Sequence, residues 1–246
     1  KGFNWLNYYG GKFSTSQGVG VFMTDALELL PADYWRFYLT HQAPETADSS
    51  FTWETFAEIT NKALVGSFGN FVNRSVRLTA QRFGGAVVPE GGDAGSEEHE
   101  LHVKLAEVAT QYSDHLLGTE FRKAAQALRE AWRLGNTYLE RKAPWEKADD
   151  DVDVAVTLRT ALNLIPKYAL MASPIVPATA DYLLECFEIT EGDRRWPAQG
   201  WYSDMLAAGS TFEAPELLFR KITKEEVAEW TERFGGGSDP SDSEGS

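Results

Sequence analysis

Cysteine is almost missing from these 246 residues: Cys186 stands alone. A single thiol builds neither a disulfide framework nor a cysteine-based zinc site, since each takes several. A reducing, cytoplasmic setting fits. No apolar run approaches the ~20 residues that a membrane span takes, and no signal-peptide pattern is present, so no membrane role is expected. Basic residues are also scarce, 23 against 37 acidic, for a formal charge of −14. That balance argues weakly against a polyanionic partner. The chain opens at Lys1 without an initiator Met, in what reads as the middle of a strand, which suggests the C-terminal piece of something longer.

What is present is a sizeable core and an uneven charge distribution. Apolar residues make up 43% and aromatics 13%, which excludes wholesale disorder. Residues 61–89 hold Lys62, Arg74, Arg77 and Arg82 and no acid. Residues 121–147 also carry a net +4, with Arg122, Lys123, Arg129, Arg133, Arg141, Lys142 and Lys147 against Glu130, Glu140 and Glu146. Screening over ~8 Å at physiological salt lets such patches act separately from the total. Two basic segments on an acidic body are compatible with one nucleic-acid face.

Along the chain, residues 3–9 alternate and are aromatic-rich, so they read as a strand that ends at Gly10-Gly11. A polar loop follows over 12–20, then a short helix capped by Thr24 or Asp25 and another helical turn or two over 32–40. The periodicity predicts one long helix over 52–83. Leu64, Val65, Phe68, Val72, Val76, Thr79 and Phe83 form its apolar face. Asn70, Arg74, Arg77 and Gln81 fall within about 60° of one another on the opposite side. The helix should stop at Gly84-Gly85, before a Gly/Pro/Ser loop.

Further helices are predicted over 97–117, 120–142, 152–172, 177–188 and 224–234. Asp149, Asp150 and Asp151 suit the start of the fourth long helix, and Pro166 should kink it. Residues 190–222 look irregular, and the Gly/Ser/Asp-rich tail from Gly235 should be disordered. The expected fold class is mainly α, a helix bundle hung from a small mixed N-terminal segment.

Gly10-Gly11-Lys12-Phe13-Ser14-Thr15-Ser16, then Ala26-Leu27-Glu28 and Pro31-Ala32-Asp33-Tyr34-Trp35-Arg36-Phe37-Tyr38-Leu39, resemble the signature-loop region of class I aminoacyl-tRNA synthetases, closest to the methionyl-tRNA synthetase family. Asp48-Ser49-Ser50-Phe51-Thr52-Trp53 through Gly69-Asn70-Phe71-Val72-Asn73-Arg74 resembles the start of that family's anticodon-binding bundle. Ala143-Pro144-Trp145 and Leu218-Phe219-Arg220-Lys221-Ile222 resemble two later landmarks. The collinear match spans roughly residues 1–222.

The resemblance implies three parts: 1–45, the end of a Rossmann-type catalytic domain with its signature loop; 46–222, the anticodon-binding bundle; and 223–246, a terminal helix and acidic tail. It maps the family's Lys-Met-Ser-Lys-Ser loop onto Lys12, Phe13, Ser14, Thr15 and Ser16. It thereby implies that Lys12, Ser14, Thr15 and Ser16 meet ATP, used with Mg2+, and that Lys12 is the catalytic cation. The second signature lysine is Thr15 here. It maps recognition of the CAU anticodon of tRNA(Met) onto Asn70, Arg74 and Trp145.

Independently of the likeness, an amide and a guanidinium four residues apart lie side by side on a helix. Unpaired bases are read by such edge donors and acceptors and by stacking on an aromatic. Arg77, Gln81, Asn73 and Asn136 are secondary candidates for phosphate or sugar contacts. The implied enzyme joins methionine to tRNA with ATP. The family's His-Ile-Gly-His signature and methionine pocket are not in this sequence, so the chain alone is expected to be inactive. Any zinc would belong to the part upstream. Two alternatives are a stand-alone tRNA-binding module and a helical protein-interaction bundle. Outside this frame, His99 and His102 lie three apart but read best as solvated. His41 and His115 look isolated, and Asp149, Asp150, Asp151 and Asp153 lack the Gly and Glu of a calcium loop. Cys186 reads as a small buried hydrophobe.

Overall fold

In a computed structural model, which describes residues 2–148, 152–196 and 204–235, the N-terminal strand is shorter than its aromatic pattern suggests. β1 covers Leu6–Tyr8. Phe3 and Trp5 lie outside it and are exposed. β1 pairs in parallel with a second strand that the sequence did not announce, β2, Ser49–Phe51, with Tyr8 opposite Phe51. Helices α1, Met23–Leu29, and α2, Ala32–His41, make the crossover between them, as a parallel pair demands.

The long helix expected over 52–83 is continuous as a rod, but its winding changes twice. α3 runs Trp53–Thr60 and is capped by Thr52, whose side chain accepts from the Thr55 N–H. Residues Asn61–Gly69 wind as a π-helix, and α4 continues over Asn70–Phe83. Gly69 permits the wider winding: a Cβ there would lie 3.0 Å from the Leu64 carbonyl oxygen, five residues back. Asn61 fixes the start of the π segment by exchanging hydrogen bonds with the Ile222 backbone in both directions, at 2.8 Å each. The apolar face predicted at 100° per residue survives: Leu64, Phe68, Val72, Val76 and Thr79 are buried. Gly84 ends α4 at φ +74°.

α5, Ser96–Leu117, and α6, Phe121–Lys142, follow with a short connection and pack along each other. α7, Val152–Ala172, differs from the one-sided helix the sequence suggested. Nearly every side chain from Val154 to Ala172 is buried, which makes it the central helix of the bundle. It runs on through Pro166. α8 spans Pro177–Cys186. Cys186 is buried, as expected of a small hydrophobe. The Gly/Pro loop after α4 is held by Arg159, which donates to the carbonyls of Pro89, Gly91 and Gly92.

α9, Lys224–Arg233, starts with a capping box between Thr223 and Glu226. It returns the chain to the N-terminal segment, where Trp230 and Phe234 pack on Trp53 with ring centroids 5.1 and 5.6 Å away. Asp149, Asp150 and Asp151, and the tail beyond Gly235, lie outside the described residues. No helix among the described residues is long and apolar enough to cross a membrane.

Candidate functional site: a signature loop and a helix-borne cleft

The loop after β1 is a small hairpin. Ser14 and Val19 exchange N–H···O bonds of 2.9 Å in both directions, and residues 15–18 form the exposed tip. Phe13 is its anchor. Its ring packs on Tyr8, with centroids 5.3 Å apart, and fills the space where Gly20 has no side chain. Gly20, at φ +108°, donates its N–H to the Phe234 carbonyl, which ties the loop base to the end of α9. Lys12, Thr15 and Ser16 are exposed, and the hydroxyls of Ser14 and Ser16 lie 3.5 Å apart. The loop therefore presents one cation, three hydroxyls and turn backbone to solvent on an aromatic footing. That donor set suits phosphate oxygens. Thr15 adds a hydroxyl where a second cation would stand.

The second constellation lies in the bundle. α4 carries Asn70 and Arg74, and a 3-10 turn over Pro144–Glu146 carries Trp145. The structure brings the arginine and the indole into contact: the Arg74 guanidinium carbon lies 4.7 Å from the centre of the Trp145 ring. A cation on an aromatic face is favourable by about 0.5–2 kcal/mol. Two local devices position the turn. Ala143 adopts a left-handed conformation, φ 41° and ψ 57°, which ends α6 and reverses the chain. Arg82, two helical turns beyond Arg74, donates to the carbonyls of Pro144 and Trp145 at 3.2 Å each.

Asn70 and Arg74 open onto a surface cleft of about 420 Å³ between the π segment, α4 and α6, with Asn136 and Glu140 on its far wall. Asn70 donates to the Asn136 side-chain oxygen at 3.4 Å. The Asn136 amide is itself fixed by the carbonyls of Ser67 and Trp132. Arg74 Nη1 donates to Glu140 Oε1 at 2.6 Å. None of the trio is sealed in hydrocarbon: Asn70, Arg74 and Trp145 are all half-buried. Arg77, Asn73 and Gln81 are exposed on the same side of α4. Glu140 and Arg82 were missed at the level of sequence. A polar row on α6, Arg133, Asn136, Thr137 and Glu140, was the available signal.

The readings of three histidines are corrected by the structure. His99 is exposed, but His102 is not solvated: its Nε2 is buried without a hydrogen-bond partner among the described residues. Burial, with the nearby charge of Lys167, pushes its pKa down to about 4. His41 is likewise pushed down to about 4 by burial and by Arg129, which donates to its Nε2 at 2.8 Å. His115 is not isolated either, since its Nδ1 lies 2.8 Å from Glu120. No cluster of His, Cys, Asp or Glu among the described residues is arranged to hold a metal ion.

Comparisons with known proteins give the family. Residues 1–76 match the family model for class I tRNA synthetases of the methionine type, and residues 88–239 match that for the anticodon binding domain of methionyl tRNA ligase. A strand with a hydroxyl-rich loop, joined to a helical bundle, thus places the protein among class I synthetases. Curated relatives agree: a methionine–tRNA ligase from Streptomyces avermitilis is 48% identical over 239 residues, and one from Caulobacter sp. strain K31 is 46% identical. The chain belongs to the methionyl-tRNA ligase family. Each match covers 96% of this chain and 42% of the relative, so the chain spans less than half the length of those proteins. Among solved structures, the fold matches Mycobacterium tuberculosis methionyl-tRNA synthetase in complex with methionyl-adenylate, with a TM-score of 0.77 at 22% identity over 87% of this chain and 42% of that one. The apo form of the same enzyme gives 0.75 at 20%, over 89% and 42%.

Proposed function

We propose that the chain serves, as the C-terminal portion of a cytoplasmic methionine–tRNA ligase, to present an ATP-facing loop and to read the CAU anticodon of tRNA(Met). Residues 1–45 carry the first task and 46–222 the second. The observation that supports this best is the cleft. An amide and a guanidinium open onto one cleft, and the guanidinium rests on an indole from a separate segment, on a chain of this family.

In this reading Trp145 stacks one splayed base, and Arg74 and Asn70 donate to base edges. Lys12, Ser14, Thr15 and Ser16 would hold the phosphates of ATP, which brings with Mg2+ the activated bond that methionine attacks. Positive charge and N–H or O–H donors set at the leaving oxygens favour such a step. Lys12, as the loop's one lysine, carries that charge. The chain's four histidines do not form the family's second signature, and residues 1–246 alone charge no tRNA at a rate near that of an intact enzyme.

The test is binding of tRNA hairpins to the 246-residue chain at fixed salt. Trp145→Ala should weaken binding of a CAU hairpin by roughly 5–150-fold, the loss of one stacked base, with the circular dichroism spectrum unchanged. Arg74→Ala should act in the same direction. Equal affinity of the parent chain for hairpins with and without CAU would refute the reading, and so would binding that does not fall with salt.

A further inference from the structure

Arg74 does not face the cleft alone. Its Nη1 sits 2.6 Å from Glu140 Oε1, with the Arg74 side chain 25% exposed and that of Glu140 60% exposed. Both groups line the same cleft, beside the indole on which Arg74 rests. If the cleft served only to attract phosphates, a carboxylate on its wall would oppose that. It neutralises the one cation that Trp145 orients, and it repels a polyanion. A site for a base edge uses the pair differently, because a guanidinium only donates and a carboxylate only accepts. Side by side, they match an edge that offers an acceptor next to a donor.

We infer that Glu140 is a specificity-determining residue that accepts from the exocyclic amino group of the base stacked on Trp145, while Arg74 donates to the adjacent ring nitrogen. This rests on the anticodon reading above. Cytosine carries N3, an acceptor, next to N4–H2, a donor, and carboxylates take the cytosine amino group elsewhere. Uracil in the same placement reverses both positions. Its O4 lone pairs face the carboxylate and its N3–H faces the guanidinium, so both contacts turn repulsive. The carboxylate thus acts mainly by exclusion, as specificity against a near-isostere requires.

The experiment compares two anticodon hairpins that differ only in C or U at the first anticodon position. Dissociation constants are measured by fluorescence anisotropy on the full chain and on Glu140→Gln. The substituted side chain is exposed and, among the described residues, its hydrogen bond is to Arg74, so folding is not at issue. The parent chain should prefer the C hairpin by roughly 5–150-fold. In Glu140→Gln that ratio should fall to within about threefold, chiefly through tighter binding of the U hairpin, because a side-chain amide can donate to O4. A variant that keeps the parental ratio overturns the inference, even if both hairpins bind more weakly, since that pattern assigns Glu140 only to holding Arg74. A parent chain indifferent to every anticodon base fails the underlying reading instead, and the inference with it.

Discussion

Replacing Lys142 with Met tests the electrostatic joint under the Trp145 turn. Lys142 is the last residue of α6 and is 7% exposed. Its Nζ lies 3.0 Å from Glu98 Oε1 and 3.3 Å from Glu97, and it also bonds Asp153, which Lys147 grips from the other side of the turn. Glu98 is 2% exposed. Burial alone would push its pKa up, but bonds from Tyr138, Lys142 and the Gly95 N–H outweigh that and hold it below the usual range. Asp153 is held down in the same way by Lys142 and Lys147 against its burial.

Removing one partner of a buried pair costs roughly 3–5 kcal/mol. The lower end applies here, since Glu98 keeps Tyr138 at 2.6 Å and Gly95 at 2.8 Å, and Asp153 keeps Lys147. We expect about 3 kcal/mol, and at 2–4 °C per kcal/mol for a chain of this size a fall in Tm of about 6–12 °C. The assay is denaturant unfolding followed by circular dichroism at several pH values. Because the folded pKa values of Glu98 and Asp153 are depressed, the stability they supply is present above the unfolded carboxylate range near pH 4 and is lost as pH falls through the folded values. The gap between parent and Lys142→Met should therefore narrow on acidification below about pH 4. A cost under about 1 kcal/mol at pH 7, far short of the range for a buried pair, would refute the reasoning. A gap that stays constant into acid would do the same.

Two further outcomes follow from single residues. Ala143→Gly should stabilise the chain by about 0.5–1 kcal/mol, read as a higher denaturant midpoint, because the left-handed backbone at φ 41° costs a side chain roughly 1–2 kcal/mol and glycine almost nothing. A lower midpoint would show that the methyl group packs more usefully than the strain costs. His41 and His102 are both depressed to about 4, so the unfolded chain binds more protons than the folded one between pH 6.5 and about 4, and stability should decrease as the pH is lowered across that window. Replacing each with Gln should flatten that slope, and a slope unchanged in both variants would rule the two histidines out as its source.

Much of the fold was legible because helices of this length announce themselves by period. α5, α6, α8 and α9 lie within a residue or two of their apolar stripes, and Gly84 stops α4 where a left-handed residue is needed. Two features were not. A period-3.6 reading has no way to register the π winding of Asn61–Gly69, since that change moves backbone bonds and leaves the same side chains buried. β2 is three residues long and has no alternation of its own, so only the parallel ladder to Leu6–Tyr8 defines it. α7 misled in another way. Its expected stripe is buried, but so is nearly all the rest of the helix from Val154 on, because the surrounding elements cover its other sides. Burial of that kind is a property of the assembly rather than of the segment.

The candidate site divides along the same line. Asn70 and Arg74 could be read together because four residues on a helix fix their spacing. That Trp145 belongs with them depends on one residue 63 positions away and on the geometry of its own turn. Arg82 holds the turn by its carbonyls, Ala143 aims it with a left-handed backbone, and Lys142 and Lys147 close on Asp153 from its two sides. Glu140 belongs to a polar row on α6, but in sequence nothing sets it apart from Glu130 and Glu146, the other acids of that basic segment. Only the packing of α4 on α6 sets it 2.6 Å from Arg74. The donors of such a cleft can thus be found from one helix. Its acceptor, which decides which base edge is refused, becomes visible only when two helices are placed together. Substitutions on the α4 face would therefore change how tightly the cleft binds, while its refusal of uracil would answer to Arg74 on α4 and Glu140 on α6 together.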